Sequence, residues 1–201
     1  MRKPIKNTRK VGFLLLICSI SFVLFGCEKD ISEPLNWELS NFSATNEDGD
    51  NLELKDLKGK VWIADFVFTN CTSVCPPMTA NMKELQGKLK EKKLDVELVS
   101  FSVDPSFDTP EILKEYVGTY DGDLSNWTLL TGYDQQFIDD YALKNFKTIV
   151  KKPTVGDQVI HGTSFYLIDQ NGIVKKDYDG LNLPFEEIIQ DIEILLSKTE
   201  K

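Results

Sequence analysis

The chain has a single histidine, His161, in 201 residues. It has two arginines, Arg2 and Arg9, both at the extreme N-terminus. Its cysteines are Cys18, Cys27, Cys71 and Cys75. No apolar run reaches the ~20 residues that a membrane-spanning helix needs. Each shortage excludes something. Structural zinc usually takes four protein ligands, and beyond Cys18 and Cys27 at the N-terminal end the chain offers only Cys71, Cys75 and His161. Without arginine forks, the body of the chain is a poor reader of bases or phosphates; nucleic acid is not an expected partner. There is no internal repeat and no low-complexity tract, so solenoid and linker architectures are also set aside.

What is present begins with a basic start. Arg2, Lys3, Lys6, Arg9 and Lys10 precede an apolar run from Val11 to Phe25. A basic stretch followed by a short apolar one reads as a secretory signal, 1–26. The run closes on Leu24-Phe25-Gly26-Cys27, which resembles a bacterial lipobox, where a small residue precedes an acylated cysteine. Cys27 is thus the expected lipidation site. An uncleaved membrane anchor is the competing reading. Either way the domain is expected outside the cytoplasm, tethered to the cell membrane. Residues 27–36 read as a polar tether and 37–201 as one domain, large enough for its own core. Beyond residue 26 the chain holds 18 basic and 32 acidic residues, a net charge of −14. Solubility accounts for that acidity; steering of cations is a minor possibility.

Removal of Cys18 with the signal and acylation of Cys27 leave Cys71 and Cys75, in a compartment where disulfides persist. They would close too small a loop to staple a domain. Their surroundings suggest chemistry instead. Val61 to Phe68 is a nearly continuous apolar run, the pattern of a buried central strand. Cys71-Thr72-Ser73-Val74-Cys75-Pro76-Pro77 follows, and the prolines suit the first turn of a helix. Met78, Met82, Leu85 and Leu89 then fall on one helical face; that stripe reads as core rather than as copper ligands.

The remaining pattern is equally regular. Leu39 to Leu54 alternates around Asp48-Gly49, a hairpin signal. Val96 to Val103 is a second buried strand, ending at Asp104-Pro105. Thr109-Pro110-Glu111 opens a helix to about Tyr120, Trp127 to Leu130 is a short strand, and Asp134 to Leu143 another helix. Lys147 to Gln158 reads as a polar hairpin or loop. Thr163 to Asp169 and Ile173 to Tyr178 are strands joined at Asn171-Gly172, and Pro184 opens the last helix. Strands alternating with helices make an α/β layer fold. A dithiol between the first core strand and its helix, with a terminal ββα unit, is the thioredoxin arrangement. The N-terminal β-hairpin and an inserted loop or hairpin before the last core strands would be additions to it.

Thiols at i and i+4 share one face of a helical turn, and a helix N-terminus favours thiolate. Both sulfurs are therefore expected to ionise more easily than free cysteine. Thiolate pairs prefer soft ions, Cu(I) above all and also zinc. His161 precedes the strand whose entry loop faces the dithiol in a thioredoxin-like sheet. Adding its imidazole gives an S₂N set that also suits Cu(II). The competing reading of the dithiol is a redox pair, which a spacing wider than Cys-x-x-Cys still permits. A peroxidase reading fails: its motif would place Pro where Phe68 stands, and it would need an arginine near the thiolate. Residues from Lys147 to Ile160 have little to bury and read as an arm that metal would restrain through His161.

The run Val61-Trp62-Ile63-Ala64-Asp65-Phe66-Val67-Phe68-Thr69-Asn70-Cys71-Thr72-Ser73-Val74-Cys75-Pro76 resembles the signature of the Sco/SenC family. Phe101-Ser102-Val103-Asp104-Pro105 and the His161 segment resemble its later motifs. The match is ordered from about Leu35 onward, and the chain is similar to the Bacillus-type membrane-anchored Sco lipoproteins. The resemblance implies Cu(I) and Cu(II) binding by Cys71, Cys75 and His161. It also implies a metallochaperone role at the dinuclear copper site of cytochrome c oxidase subunit II. The alternative is a thiol–disulfide oxidoreductase that keeps the oxidase cysteines reduced. Asp104 matches a family acidic position, for which turn formation with Pro105 is the plainest role.

The lipobox-like end makes a direct prediction. The membrane form of the protein should begin at Cys27 and carry diacylglycerol there, since two acyl chains anchor stably where one is marginal. Mass spectrometry decides this: an unmodified peptide running from Phe25 through Lys29 would reject it.

Overall fold

The structure, a computed structural model, describes residues 30–198. The expected signal, 1–26, and the expected lipidation site, Cys27, lie outside those residues. Among the described residues no helix is long and apolar enough to cross a membrane.

Strand β4 (Val61–Val67) is the centre of the molecule. All seven of its residues are buried, which is why its sequence is apolar on both faces rather than alternating. It pairs in parallel with β5 (Val96–Ser102), and β5 pairs in parallel with β6 (Trp127–Thr131). On its other side β4 pairs antiparallel with β9 (Ser164–Ile168), which turns at Asn171-Gly172 into β10 (Ile173–Asp179). Gly172 sits at φ +74°, where a side chain would be strained. Beyond β6 lies the N-terminal hairpin of β2 (Ser43–Asn46) and β3 (Asn51–Glu53), with Gly49 at φ +85° in its turn. A short β1 (Trp37–Glu38) covers the opposite edge against β10. The sheet order is β1-β10-β9-β4-β5-β6-β2-β3.

Helices cover both faces. Val61 and Ile63 pack with Met78, Met82, Leu85 and Leu89 of α1 (Cys75–Lys92), Leu113 and Val117 of α2 (Pro110–Gly118), and Ile188 and Ile192 of α4 (Phe185–Ser197). The two methionines are core, as their spacing indicates. On the other face Trp62, Ala64 and Phe66 pack with Ile138, Tyr141 and Phe146 of α3 (Gln135–Phe146) and with Phe42. Edge-to-face rings tie this side: Phe66 with Phe146 and Phe42 with Phe101, each at 5.3 Å between centroids. Removing such a ring typically costs ~3–5 kcal/mol. The architecture is a thioredoxin-like α/β fold with the expected hairpin added at its N-terminal side.

One feature differs from expectation. Within 31–36, placed in the tether, Ile31 and Leu35 attach to the domain. Ile31 is buried with the α4 residues, and the Leu35 N–H donates to the Lys175 carbonyl at 2.9 Å. The polar segment after α3 is the expected inserted hairpin, a two-stranded ribbon of β7 (Val150–Lys151) and β8 (Ile160–His161). Strands of two residues are too short to show alternation, and so β1 does not stand out in the sequence.

One buried carboxyl lies inside the β4–β5 pair. The register sets Asp65 opposite Ser100. The Ser100 hydroxyl donates to Asp65 at 2.6 Å and accepts the Trp127 indole N–H at 3.0 Å. Burial pushes the Asp65 carboxyl up to about 6, against the smaller opposing effects of the Ser100 bond and of His161. Folded, it keeps its proton well above its ordinary value of 3.8. Its contribution to stability is therefore complete below that value and lost as pH rises through about 6. Asp65→Asn, which cannot ionise, should gain ~2–3 kcal/mol on the wild type between about pH 4 and pH 7.5. Denaturant unfolding across that range measures it; a gap that does not change with pH would place the carboxyl in the ordinary range.

Candidate metal centre

The end of β4 and the start of α1 set the two sulfurs. α1 begins at Cys75 without a side-chain cap, and Pro76 and Pro77 follow it directly. A helix start leaves several backbone N–H groups without partners, but proline has none to offer. Among the first three helical residues only Cys75 keeps an N–H, and it donates to Cys71 Sγ at 3.3 Å. The sulfur of Cys71 thus takes the place of a capping oxygen. Behind it, Asp108 fixes the approach of the chain. Its carboxylate accepts the Thr69 hydroxyl at 2.6 Å, the Thr69 N–H at 3.2 Å and the Ser102 hydroxyl at 2.5 Å. Asp108 is fully buried, and burial pushes its carboxyl up against those bonds.

His161 comes from β8. Its Nδ1 faces the Gly162 carbonyl at 2.8 Å. A carbonyl only accepts, so Nδ1 donates to it, and the tautomer that keeps this bond leaves Nε2 as the ligating nitrogen. Nε2 lies 3.2 Å from Cys75 Sγ. The edge of the ring is set by Phe68, 5.8 Å away between centroids and nearly perpendicular. The ligand atoms of Cys71, Cys75 and His161 all lie within 4.8 Å of one another. Two donors on one ion with bonds of ~2.3 Å span at most about 4.6 Å. The three are close enough for one ion to gather with small side-chain movements. Both thiols are free rather than joined.

The two thiols are not equivalent, contrary to the expectation that both ionise easily. Burial opposes ionisation of Cys71, but His161, Cys75 and the backbone N–H groups of Ser73 and Cys75 outweigh it and hold the thiol at about 6. Cys75 is fully buried, and burial pushes its thiol up. The Cys71 sulfur and the Asp65 carboxylate add to that rise. The helix tip has one N–H to give, and Cys71 receives it. The dipole argument from sequence treats both sulfurs alike because the two prolines' missing donors are not counted.

The ribbon that carries His161 is tied down at several points. Val150 and Val159 are buried in the core that also holds Phe68 and Cys71. Lys152 pairs with the buried Asp104 at 2.6 Å and donates to the Ser106 hydroxyl at 2.7 Å. Gln158 donates to the Asn70 carbonyl at 2.9 Å and accepts from the Thr72 N–H and hydroxyl at 3.3 Å. Asn70 in turn donates to Asp157 at 2.9 Å. The expected arm with little to bury is therefore a docked ribbon. Asp104 does form the turn expected with Pro105: its carbonyl accepts the N–H groups of Phe107 and Asp108 at 3.0 and 2.9 Å. Asp108, Lys152 and Gln158 carry no sequence signal of this role, because their partners are distant in the chain.

A family model described as SCO1/SenC matches residues 34–197. The chain belongs to the SCO1/SenC family. Its structure is similar to the crystal structure of a SCO1/SenC family lipoprotein from Bacillus anthracis, with 57% identity and a TM-score of 0.81 over 83% of this chain and 99% of that one. It is similar to BsSco, described as a member of the Sco family of cytochrome c oxidase assembly proteins in which a disulfide switch was identified. That match has 51% identity, a TM-score of 0.78, and covers 83% and 98% of the two chains. Bradyrhizobium japonicum ScoI, solved with copper bound, matches at 25% identity and a TM-score of 0.66, covering 79% and 99%.

The inequality of the thiols is testable without metal. In the reduced, metal-free protein near neutral pH, Cys71 should be alkylated first, because it is the more exposed and the more ionised of the two. Timed iodoacetamide labelling with peptide mapping reads the order. Equal rates would mean that the helix tip serves both sulfurs.

Proposed function

We propose that this chain binds copper through Cys71, Cys75 and His161 and delivers it to cytochrome c oxidase, at the dinuclear copper site of subunit II. The convergence of two sulfurs and one imidazole nitrogen within 4.8 Å carries this reading. Two thiolates form the soft part of the field and suit Cu(I); the imidazole extends it to Cu(II). The Gly162 carbonyl on Nδ1 is the outer partner that fixes the tautomer able to ligate through Nε2. Three ligands, two buried sulfurs and one partly exposed imidazole, are fewer than a structural site uses, as suits cargo that must be passed on. Solved relatives with copper bound, and the assembly role stated for BsSco, support it. The same proposal places the protein at the outer face of the cell membrane, held by lipid on Cys27. The lipoprotein character of the Bacillus anthracis relative supports that placement.

A second reading, a thiol–disulfide oxidoreductase acting on the oxidase cysteines, is favoured by the unequal thiols. An ionised, more exposed Cys71 beside a neutral, buried Cys75 is the division that exchange chemistry uses. The readings part at His161, which exchange does not need.

Titration of the reduced protein with Cu(I) and Cu(II) tests the first reading. Bound Cu(II) should show sulfur-to-copper charge transfer, and Cys71→Ala or Cys75→Ala should abolish tight binding of either ion. His161→Ala should weaken Cu(II) more than Cu(I), and cells carrying it should assemble little oxidase at low copper. Wild-type affinity in Cys71→Ala would end the copper reading; normal oxidase in the His161→Ala cell would favour the reductase.

A further inference from the structure

The β7–β8 ribbon holds itself together weakly. Its pairing is two residues long, Val150 with His161 and Lys151 with Ile160. A hairpin of that size is not stable alone. At its far end Val155 is 87% exposed, and Ile160 beside His161 is 62% exposed. Only Val150 and Val159 of its apolar residues are buried in the core. The β9 register and Phe68 bring His161 near the sulfurs, and polar anchors outside the ribbon hold the ribbon that carries it.

Two anchors have the needed geometry. Lys152 leaves the end of β7 and reaches Asp104 in the β5–α2 loop; the side chains are 31% and 4% exposed. This is not a surface pair, and removing one member leaves the other charge buried without its partner. Gln158, two residues before β8, acts on the other side. One amide end donates to the carbonyl of Asn70 and the other accepts from the N–H of Thr72. These two residues bracket Cys71 in the chain. A single side chain from the histidine ribbon thus fixes the backbone on both sides of the more exposed cysteine.

We infer that Lys152 and Gln158 are positioning residues of the copper site, a latch that holds His161 beside the dithiol and keeps the Cys71 loop in register with it. The inference rests on the copper reading of the site. Neither residue touches the ion. Lys152 sets where the ribbon sits, and Gln158 links that position to Cys71. A partner that displaced the ribbon would then loosen the imidazole and one sulfur together. The latch thereby couples docking to release of the ion.

The test uses the full-length chain in detergent, with Lys152→Met, Lys152→Arg, Gln158→Ala and the wild type compared. Lys152→Met keeps the apolar stem and removes the charge. Gln158→Ala changes an exposed side chain and leaves the core intact, so it still reports if Lys152→Met folds poorly. Cu(II) affinity is measured by competition with a chelator, and amide hydrogen exchange is followed in the metal-free protein. Each disruptive variant should lose about 10- to 100-fold in Cu(II) affinity, the usual effect of removing an outer partner of a metal ligand. Lys152→Arg should recover most of it. In metal-free protein, exchange should speed up across 149–161 in both disruptive variants and across 70–75 in Gln158→Ala. Unchanged exchange would overturn the latch, whether or not copper binds. Faster exchange with wild-type copper affinity would also overturn it, since the contacts would then serve only folding. If the wild type took up no copper, the copper reading would fall, and the latch with it as a property of a copper site.

Discussion

The site depends on the antiparallel pairing of β4 with β9. Trp62 lies opposite Ile168 and Ala64 opposite Tyr166. In an antiparallel pair the end of one strand meets the beginning of the other. The end of β4 leads into Cys71 and Cys75, and the beginning of β9 follows His161 by three residues. One register thereby brings together groups that are 86 residues apart in sequence. The pairing is secured by burial on both faces, so the donor set stands on the central, buried strands of the domain. Only the last steps, from Phe68 to Cys71 and from His161 to Ser164, are left to loops. Asp108 and the ribbon anchors act on those steps.

The inequality of the two cysteines follows from the same junction. A helix that begins Cys-Pro-Pro has little to offer an anion at its tip beyond the first N–H. That N–H goes to Cys71, and Cys75 is left buried against the Nε2 lone pair of His161. Without metal Cys75 is therefore held in its thiol form. A cation changes the balance. Metal binding by two thiolates must displace the Cys75 proton, so the affinity carries a pH dependence and a proton is released on loading. The same asymmetry serves exchange chemistry, which explains why the two functional readings share one structure. What separates them is the tautomer imposed by the Gly162 carbonyl. It directs a lone pair at the sulfurs, and a ligand has more use for it than a disulfide does.

Much of this was legible in the sequence, for identifiable reasons. The run from Val61 to Phe68, the helical stripe of Met78, Met82, Leu85 and Leu89, and the Asp-Gly and Asn-Gly turns each state a local preference that burial and turn geometry then confirm. The dithiol and the lone histidine were visible because their residue types are rare in this chain. Strand β1 was not, since two residues show no period. The docking of the ribbon was not, since Val150 and Val159 are isolated apolar residues in a polar stretch. Their burial depends on a surface built by Phe68 and Cys71 far upstream. The opposed behaviour of Cys71 and Cys75 was hidden for a different reason. The dipole of a whole helix favours both thiolates alike, whereas the outcome turns on individual N–H groups and on how deeply each sulfur lies.

Asp104 joins these strands of argument. From sequence alone a turn with Pro105 was a sufficient account of it, and its backbone does make that turn. Its side chain does something else: buried and ionic, it needs a cation, and Lys152 of the distant ribbon supplies one. A buried ion pair is an expensive way to gain stability, because desolvation offsets much of the attraction. A Pro-ended turn alone would not require it. The pair makes physical sense as a device of specificity. Only one placement of the ribbon satisfies the Asp104 charge, and that placement sets His161 next to Cys75. A domain this acidic has many carboxylates that could attract Lys152 at the surface, where exposed pairs are worth little. Burying one of them makes the choice unambiguous, and the cost of the burial is what selects the position of the histidine.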